Sequence, residues 1–149
     1  MKSRWISLIL GIILTIAGLL KNQSSLVLMT FLLGMISGLL IDLIGVGKLG
    51  LWSYSRQPFL KKKYFAFVVP AWGIFGMLIN LTWNWFVHST IWEHLLFFLA
   101  ITTVLLILYE VPNLKIKSWQ YCTSKWLVIL GWFPLILFFR ALFIAFNFA

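Results

Sequence analysis

Between Tyr64 and Val87 the chain runs without one charged side chain, and four further apolar stretches accompany it: Trp5–Leu20, Leu26–Gly47, Ile91–Val111 and Trp126–Phe148. About 20 apolar residues in helical form cross the hydrocarbon core of a bilayer. The apolar character is continuous, without the alternation that barrel strands require. The first stretch has the charge and length of a signal peptide. It is followed by Lys21-Asn22-Gln23-Ser24-Ser25 and not by a small-residue cleavage site, so we read it as a membrane helix. Composition closes the other routes: 62% of the 149 residues are hydrophobic and 10% charged. Soluble domains are about 45–50% apolar and about a quarter charged. A water-soluble fold of this length could not bury so much apolar surface, and disorder and coiled coil fail for the same reason. The sequence predicts an all-α, polytopic membrane bundle of five transmembrane helices in one domain, residues 1–149. Two parallel helix-pair repeats, 26–87 and 91–148, follow the N-terminal helix.

Charge fixes the expected orientation. The net charge is +9, from 12 Lys and Arg against three acids. The cations sit in short loops beside apolar segments, where they read as topology signals and anionic-lipid contacts and not as a nucleic-acid surface. With the N-terminus in the cytoplasm, Lys2 and Arg4, the loop with Lys48, Arg56 and Lys61–Lys63, and the loop with Lys115, Lys117 and Lys125 all fall inside. Lys21 lies outside, and Arg140 lies within the fifth helix. The expected location is the cytoplasmic membrane, N-terminus in and C-terminus out.

An internal repeat carries most of the functional signal. Asp42 ends an apolar helix, Trp52-Ser53-Tyr54 follows ten residues on, and Pro70 comes early in the next helix. Glu110 ends a second apolar helix, Trp119-Gln120-Tyr121 follows nine residues on, and Pro134 comes early in the last. Two acid–Trp-x-Tyr–Pro clusters at one membrane depth are the pattern a duplication leaves.

Acids inside a membrane are costly and mark candidate sites, so Asp42 and Glu110 are the candidate catalytic residues. An ion pair of Asp42 with Lys48 is the structural alternative. Trp52, Tyr54, Trp119, Tyr121 and Trp72 are candidate substrate-binding residues, although aromatics also belong at interfaces for their own sake. Asn80 and Asn84 stand four apart on one face of the third helix and join that set. Glu93 and Arg140 are expected to pair near the outer level, with His88 and His94 close by. Two His and one acid without fixed spacing do not make a metal site, so we expect no metal and no cofactor. Cys122 is a single interfacial cysteine. Gly34 and Gly38 give the second helix a small-residue face, read as packing inside the bundle, with a homodimer contact as the alternative.

The stretch from Leu39-Leu40-Ile41-Asp42 through Gly50-Leu51-Trp52-Ser53-Tyr54 to Val69-Pro70 resembles the small membrane lycopene cyclases and the related carotenoid hydratases. That resemblance implies an enzyme that protonates the terminal double bond of a long polyene without a metal. The cyclases follow the proline with a pair of glutamates, whereas this chain reads Pro70-Ala71-Trp72 and Pro134-Leu135-Ile136. If those glutamates supply the proton, Asp42, or secondarily Glu110, has to do so here.

Two classes of function stay open. One is metal-independent, proton-initiated cyclisation or hydration of an isoprenoid- or carotenoid-type lipid inside the membrane. The other is a non-catalytic membrane subunit, small transporter component or lipid-binding protein. Expected partners are membrane lipids, a hydrophobic isoprenoid-like substrate, and further subunits in a homo- or hetero-oligomer; nucleic acid is not among them. No Ser/His/Asp arrangement, phosphate-cradling Gly loop or Asp-rich diphosphate motif is present to support hydrolysis, phosphoryl transfer or prenyl transfer.

Overall fold

The computed structural model describes residues 2–55, 58–87, 90–111, 113, 117 and 119–146. The architecture is helical: α1 (Lys2–Leu20), α2 (Ser24–Asp42), α3 (Lys62–Phe86), α4 (Ile91–Leu105) and α5 (Lys125–Ala145). α2 and α4 each run on into a wider π-helical turn, Leu43–Lys48 and Leu106–Glu110. Among the described residues, three continuous helices are long and apolar enough to cross a membrane, Ser24–Lys48, Lys62–Phe86 and Ile91–Glu110. α1 and α5 contribute shorter apolar runs, Ser7–Leu20 and Leu130–Ala145. The fifth helix ends at Ala145, short of the expected Phe148, which lies outside the described residues.

The surface is as apolar as the core, and the core, built on Phe75, Ile79, Leu81, Leu105 and Ile136, also holds polar side chains. Leu20, Ile91, Trp92 and Leu130 are exposed, while Thr30, Ser37, Asp42, Asn80, Thr102 and Glu110 are buried. Water as the only surrounding solvent would favour the reverse. The buried hydroxyls are satisfied locally: Thr30, Ser37 and Thr102 each donate to a carbonyl one turn back, at 2.8, 2.6 and 2.7 Å.

α2 and α3 form the central pair, and glycine sets their distance. A Cβ on Gly34 would lie 2.9 Å from Gly76 Cα and 2.7 Å from Trp72 O, so the two backbones touch. The small-residue face of α2 therefore packs inside the bundle. Gly38 serves differently: a Cβ there would lie 2.0 Å from Cγ of Trp72, whose indole fills the space.

The loops after the two π turns meet as a ribbon. β1 (Trp52–Tyr54) pairs antiparallel with β2 (Trp119–Tyr121), placing Trp52 opposite Tyr121 and Tyr54 opposite Trp119. The Trp-x-Tyr alternation has the strand period of two and aromatic strand formers, so a fold expected to be wholly helical contains this short sheet. Ser53 and Gln120 are exposed, and the four aromatic residues are half-buried on the other face. Asn113 fixes the start of β2, its amide group donating to Trp119 O at 3.2 Å and accepting from Trp119 N at 3.1 Å. Beyond the pairing, Cys122 N donates to Leu51 O at 2.9 Å.

Candidate functional site

Asp42 is the last residue of α2 and is fully buried. Trp52 Nε1 donates to Oδ1 at 3.2 Å, and the Tyr54 hydroxyl reaches Oδ1 at 2.8 Å and Oδ2 at 3.0 Å. The Tyr64 hydroxyl and Trp72 Nε1 each donate to Oδ2 at 2.8 Å. Four neutral donors therefore occupy both oxygens, in place of the ion pair with Lys48 that the sequence offers as the structural alternative. Two of the donors are indoles, which can only donate, so this shell suits a group acting purely as acceptor. Gly38 and Gly45 make the shell fit: a Cβ on Gly45 would sit 2.1 Å from the Trp52 ring.

Glu110 closes the π turn after α4 and is also buried. The Tyr121 hydroxyl and Trp132 Nε1 both donate to its Oε1, the indole at 2.9 Å. Trp119 Nε1 donates in turn to the Tyr121 hydroxyl at 3.0 Å. Glu110 thus receives two direct donors where Asp42 receives four, and its Oε2 has no hydrogen bond among the described residues. Burial pushes the Tyr54 phenol well above its ordinary range, and the adjacent Asp42 carboxylate raises it further. The Tyr121 phenol is also raised, by burial and then by its bond to Glu110. Both phenols stay protonated, and so stay donors, at any physiological pH.

The two clusters share one cavity of about 860 Å³, within the range that binds small molecules. The ribbon lines it with Trp52, Tyr54, Trp119 and Tyr121; α3 adds Trp72 and Phe75, and the second half adds Tyr109, Glu110 and Trp132. Phe75 is the joint between the halves, its ring centre 5.4 Å from Trp72, 5.3 Å from Trp132 and 6.3 Å from Tyr109. Glu110 lines this cavity and Asp42 does not, whereas the sequence puts Asp42 first of the two as proton donor.

Asn80 and Asn84 are not brought to the cavity. Asn80 is buried in α3, its amide donating to Gly76 O at 3.1 Å while Oδ1 has no partner among the described residues. Asn84 Oδ1 accepts from Arg140 Nη1 at 2.9 Å, and that guanidinium lies over Trp83 and Phe143 at 5.4 and 5.5 Å. Arg140, expected to meet Glu93, is thus held by a neutral acceptor and two ring faces. Glu93 sits in the first turn of α4, where its backbone N–H caps on Thr90 Oγ1 at 3.2 Å. His94 Nδ1 accepts from Trp83 Nε1 at 3.2 Å, and His88 lies outside the described residues. Among the described residues no group of three His, Cys, Asp or Glu is placed to hold a metal.

Tyr64, Trp132 and Phe75 escape sequence reasoning. The signal available was positional. Trp72 stands two residues after Pro70 and Trp132 two before Pro134, so each proline-containing helix hangs one indole over its acid. Comparison of the chain with protein-family models, curated proteins and solved structures gives no match.

Proposed function

We propose that this protein is a membrane-embedded enzyme that binds an isoprenoid- or polyene-type lipid in the aromatic cavity and starts its cyclisation or hydration by proton transfer from Glu110. One observation carries the reading: Glu110 lines the cavity with one oxygen doubly hydrogen-bonded and the other without a hydrogen bond among the described residues. In this scheme Oε1 is the fixed acceptor end of the carboxyl group and Oε2 holds the proton. The proton adds to one carbon of a terminal C=C bond, leaving a tertiary carbocation on the other. Attack by an internal double bond followed by proton loss to Glu110 closes a ring. Capture by water followed by the same proton loss gives the hydrated product. No electrons are gained or lost, so no oxidant or reductant is needed. The faces of Trp72 and Trp132 stabilise the cation through their ring quadrupoles. Asp42 organises the ribbon and α3 around the cavity and does not meet the lipid.

The many exposed apolar side chains, together with acids and hydroxyls buried among the helices, support a membrane bundle. At ~1.5 Å per residue the 19-residue α1 and 21-residue α5 reach about 30 Å, enough for five crossings. The loop cations support an orientation with the ribbon end in the cytoplasm. The deciding experiment is lipid analysis of a host supplying linear isoprenoids, carrying the wild type, Glu110→Gln or no protein. New cyclic or hydrated lipid with the wild type, and none with Glu110→Gln at equal expression, is the expected result. A product unaffected by Glu110→Gln removes this mechanism, and no product from any strain favours a non-catalytic lipid-binding role.

A further inference from the structure

A second apolar space, of about 530 Å³, lies between α1, α2 and α3, with Gly11, Thr15, Leu28 and Met77 on its walls. Leu8, Pro70 and Ile74 line both this groove and the Glu110 cavity, so the two spaces are neighbours that meet at these three side chains. Pro70 lies inside α3 at that boundary; lacking an N–H, it leaves the Ala66 carbonyl without its helical partner. The groove leads away from the ribbon. On α2 the cavity touches Ile41, near the acid, and the groove touches Ser24, at the opposite end. Seventeen residues of helix separate these positions, about 25 Å at ~1.5 Å per residue, against a hydrocarbon core of about 30 Å.

We propose that this groove is a distal subsite that takes the unreacted end of the same linear lipid whose reacting end meets Glu110. The inference rests on the reading above and adds to it a length requirement: the substrate is a linear isoprenoid long enough to traverse most of the bilayer. The shared Leu8, Pro70 and Ile74 boundary, together with the groove's run away from the acid, favours this occupant over a separate lipid. The groove asks for no polar group, because the Thr15 hydroxyl already donates to Gly11 O at 2.8 Å. Thr15 and Leu28 are the residues whose bulk sets the length accepted.

The test uses the full chain in nanodiscs and two probes: squalene, which is two farnesyl units joined end to end, and farnesol, which is one. Wild-type protein is expected to retain both. Thr15→Trp fills the groove and is expected to lower squalene retention by at least about tenfold while farnesol stays within about twofold. Leu28→Trp, from another wall, is expected to reproduce that pattern, and Thr15→Val to behave as wild type. Squalene retention unchanged in both Trp variants overturns the subsite. Equal loss of both lipids overturns it too, since the short probe does not reach the groove. Product formation is scored separately. Selective retention without product leaves the subsite standing and overturns only the protonation chemistry; wild-type protein that retains neither lipid overturns both.

Discussion

Asp42 and Glu110 look equivalent as residue types at the ends of apolar helices, and their hydrogen bonds make them different. Asp42 accepts from Trp52, Tyr54, Tyr64 and Trp72 with both oxygens. Asp42→Asn turns one of those oxygens into a donor aimed at donors. Leaving buried groups unpaired in this way costs about 1–3 kcal/mol, so the variant is expected to lose thermal stability in detergent. Glu110→Gln leaves Oε1 in place and is expected to melt near the wild type, within about 1 kcal/mol. Comparable stability losses in the two variants would remove the distinction drawn between them. Gly38→Ala drives a methyl into the Trp72 ring and is expected to cost about 1–3 kcal/mol by overpacking. Gly131→Ala meets open space and is expected to cost far less, which the same melting assay checks. The two acids and the Trp-x-Tyr pairs were legible in the sequence, because acids are rare among apolar helices. Tyr64 was not, because its hydroxyl reaches Asp42 only when α3 folds back beside α2.

The ribbon is the element that unites the halves. Each strand presents a Trp and a Tyr to the cavity, and the antiparallel register crosses Trp of one repeat with Tyr of the other. Both phenols have their folded pKa raised above the ordinary value of about 10. Their contribution to stability is therefore complete below about pH 10. As pH climbs past that point, unfolded chains ionise these tyrosines while folded chains hold them neutral, and stability falls. Melting temperatures measured from neutral pH to about pH 11 should stay level and then drop, and Tyr54→Phe/Tyr121→Phe together should flatten part of the drop. An identical alkaline slope in that double variant would show that the ribbon tyrosines do not carry it.

At the scale of the whole molecule, α2-π-β1-α3 and α4-π-β2-α5 are two passes of one plan, joined at a shared cavity and preceded by α1. The halves are not copies. The π turn follows Asp42 in the first and ends on Glu110 in the second, and the indole donors come from opposite sides of their prolines. Extra residues in a helix re-aim the side chains beyond them, so divergence of this kind lets one acid face the cavity while the other is walled off. The proposed orientation has a direct check: reporters fused after Lys63 and after Ala149 should lie on opposite sides of the membrane. Equal sidedness would contradict five crossings with the ribbon end in the cytoplasm.

Hydropathy, charge asymmetry and the repeated acid–Trp-x-Tyr–Pro order are properties of the chain itself. They determined the helical architecture, the helix limits to within a few residues and the pairing of two acid clusters. Solvent preference acts on each segment separately, so a linear reading captures it. Which acid meets the cavity, which indoles bind it and where Arg140 finds its partner depended on contacts between residues far apart in sequence. Trp72 reaches Asp42 across thirty positions, and Arg140 reaches Asn84 across 56. Such contacts follow from how closely α2 and α3 approach at Gly34 and Gly76 and from the turn each π segment adds. Those are distances and rotations between helices, and only the packed bundle sets them.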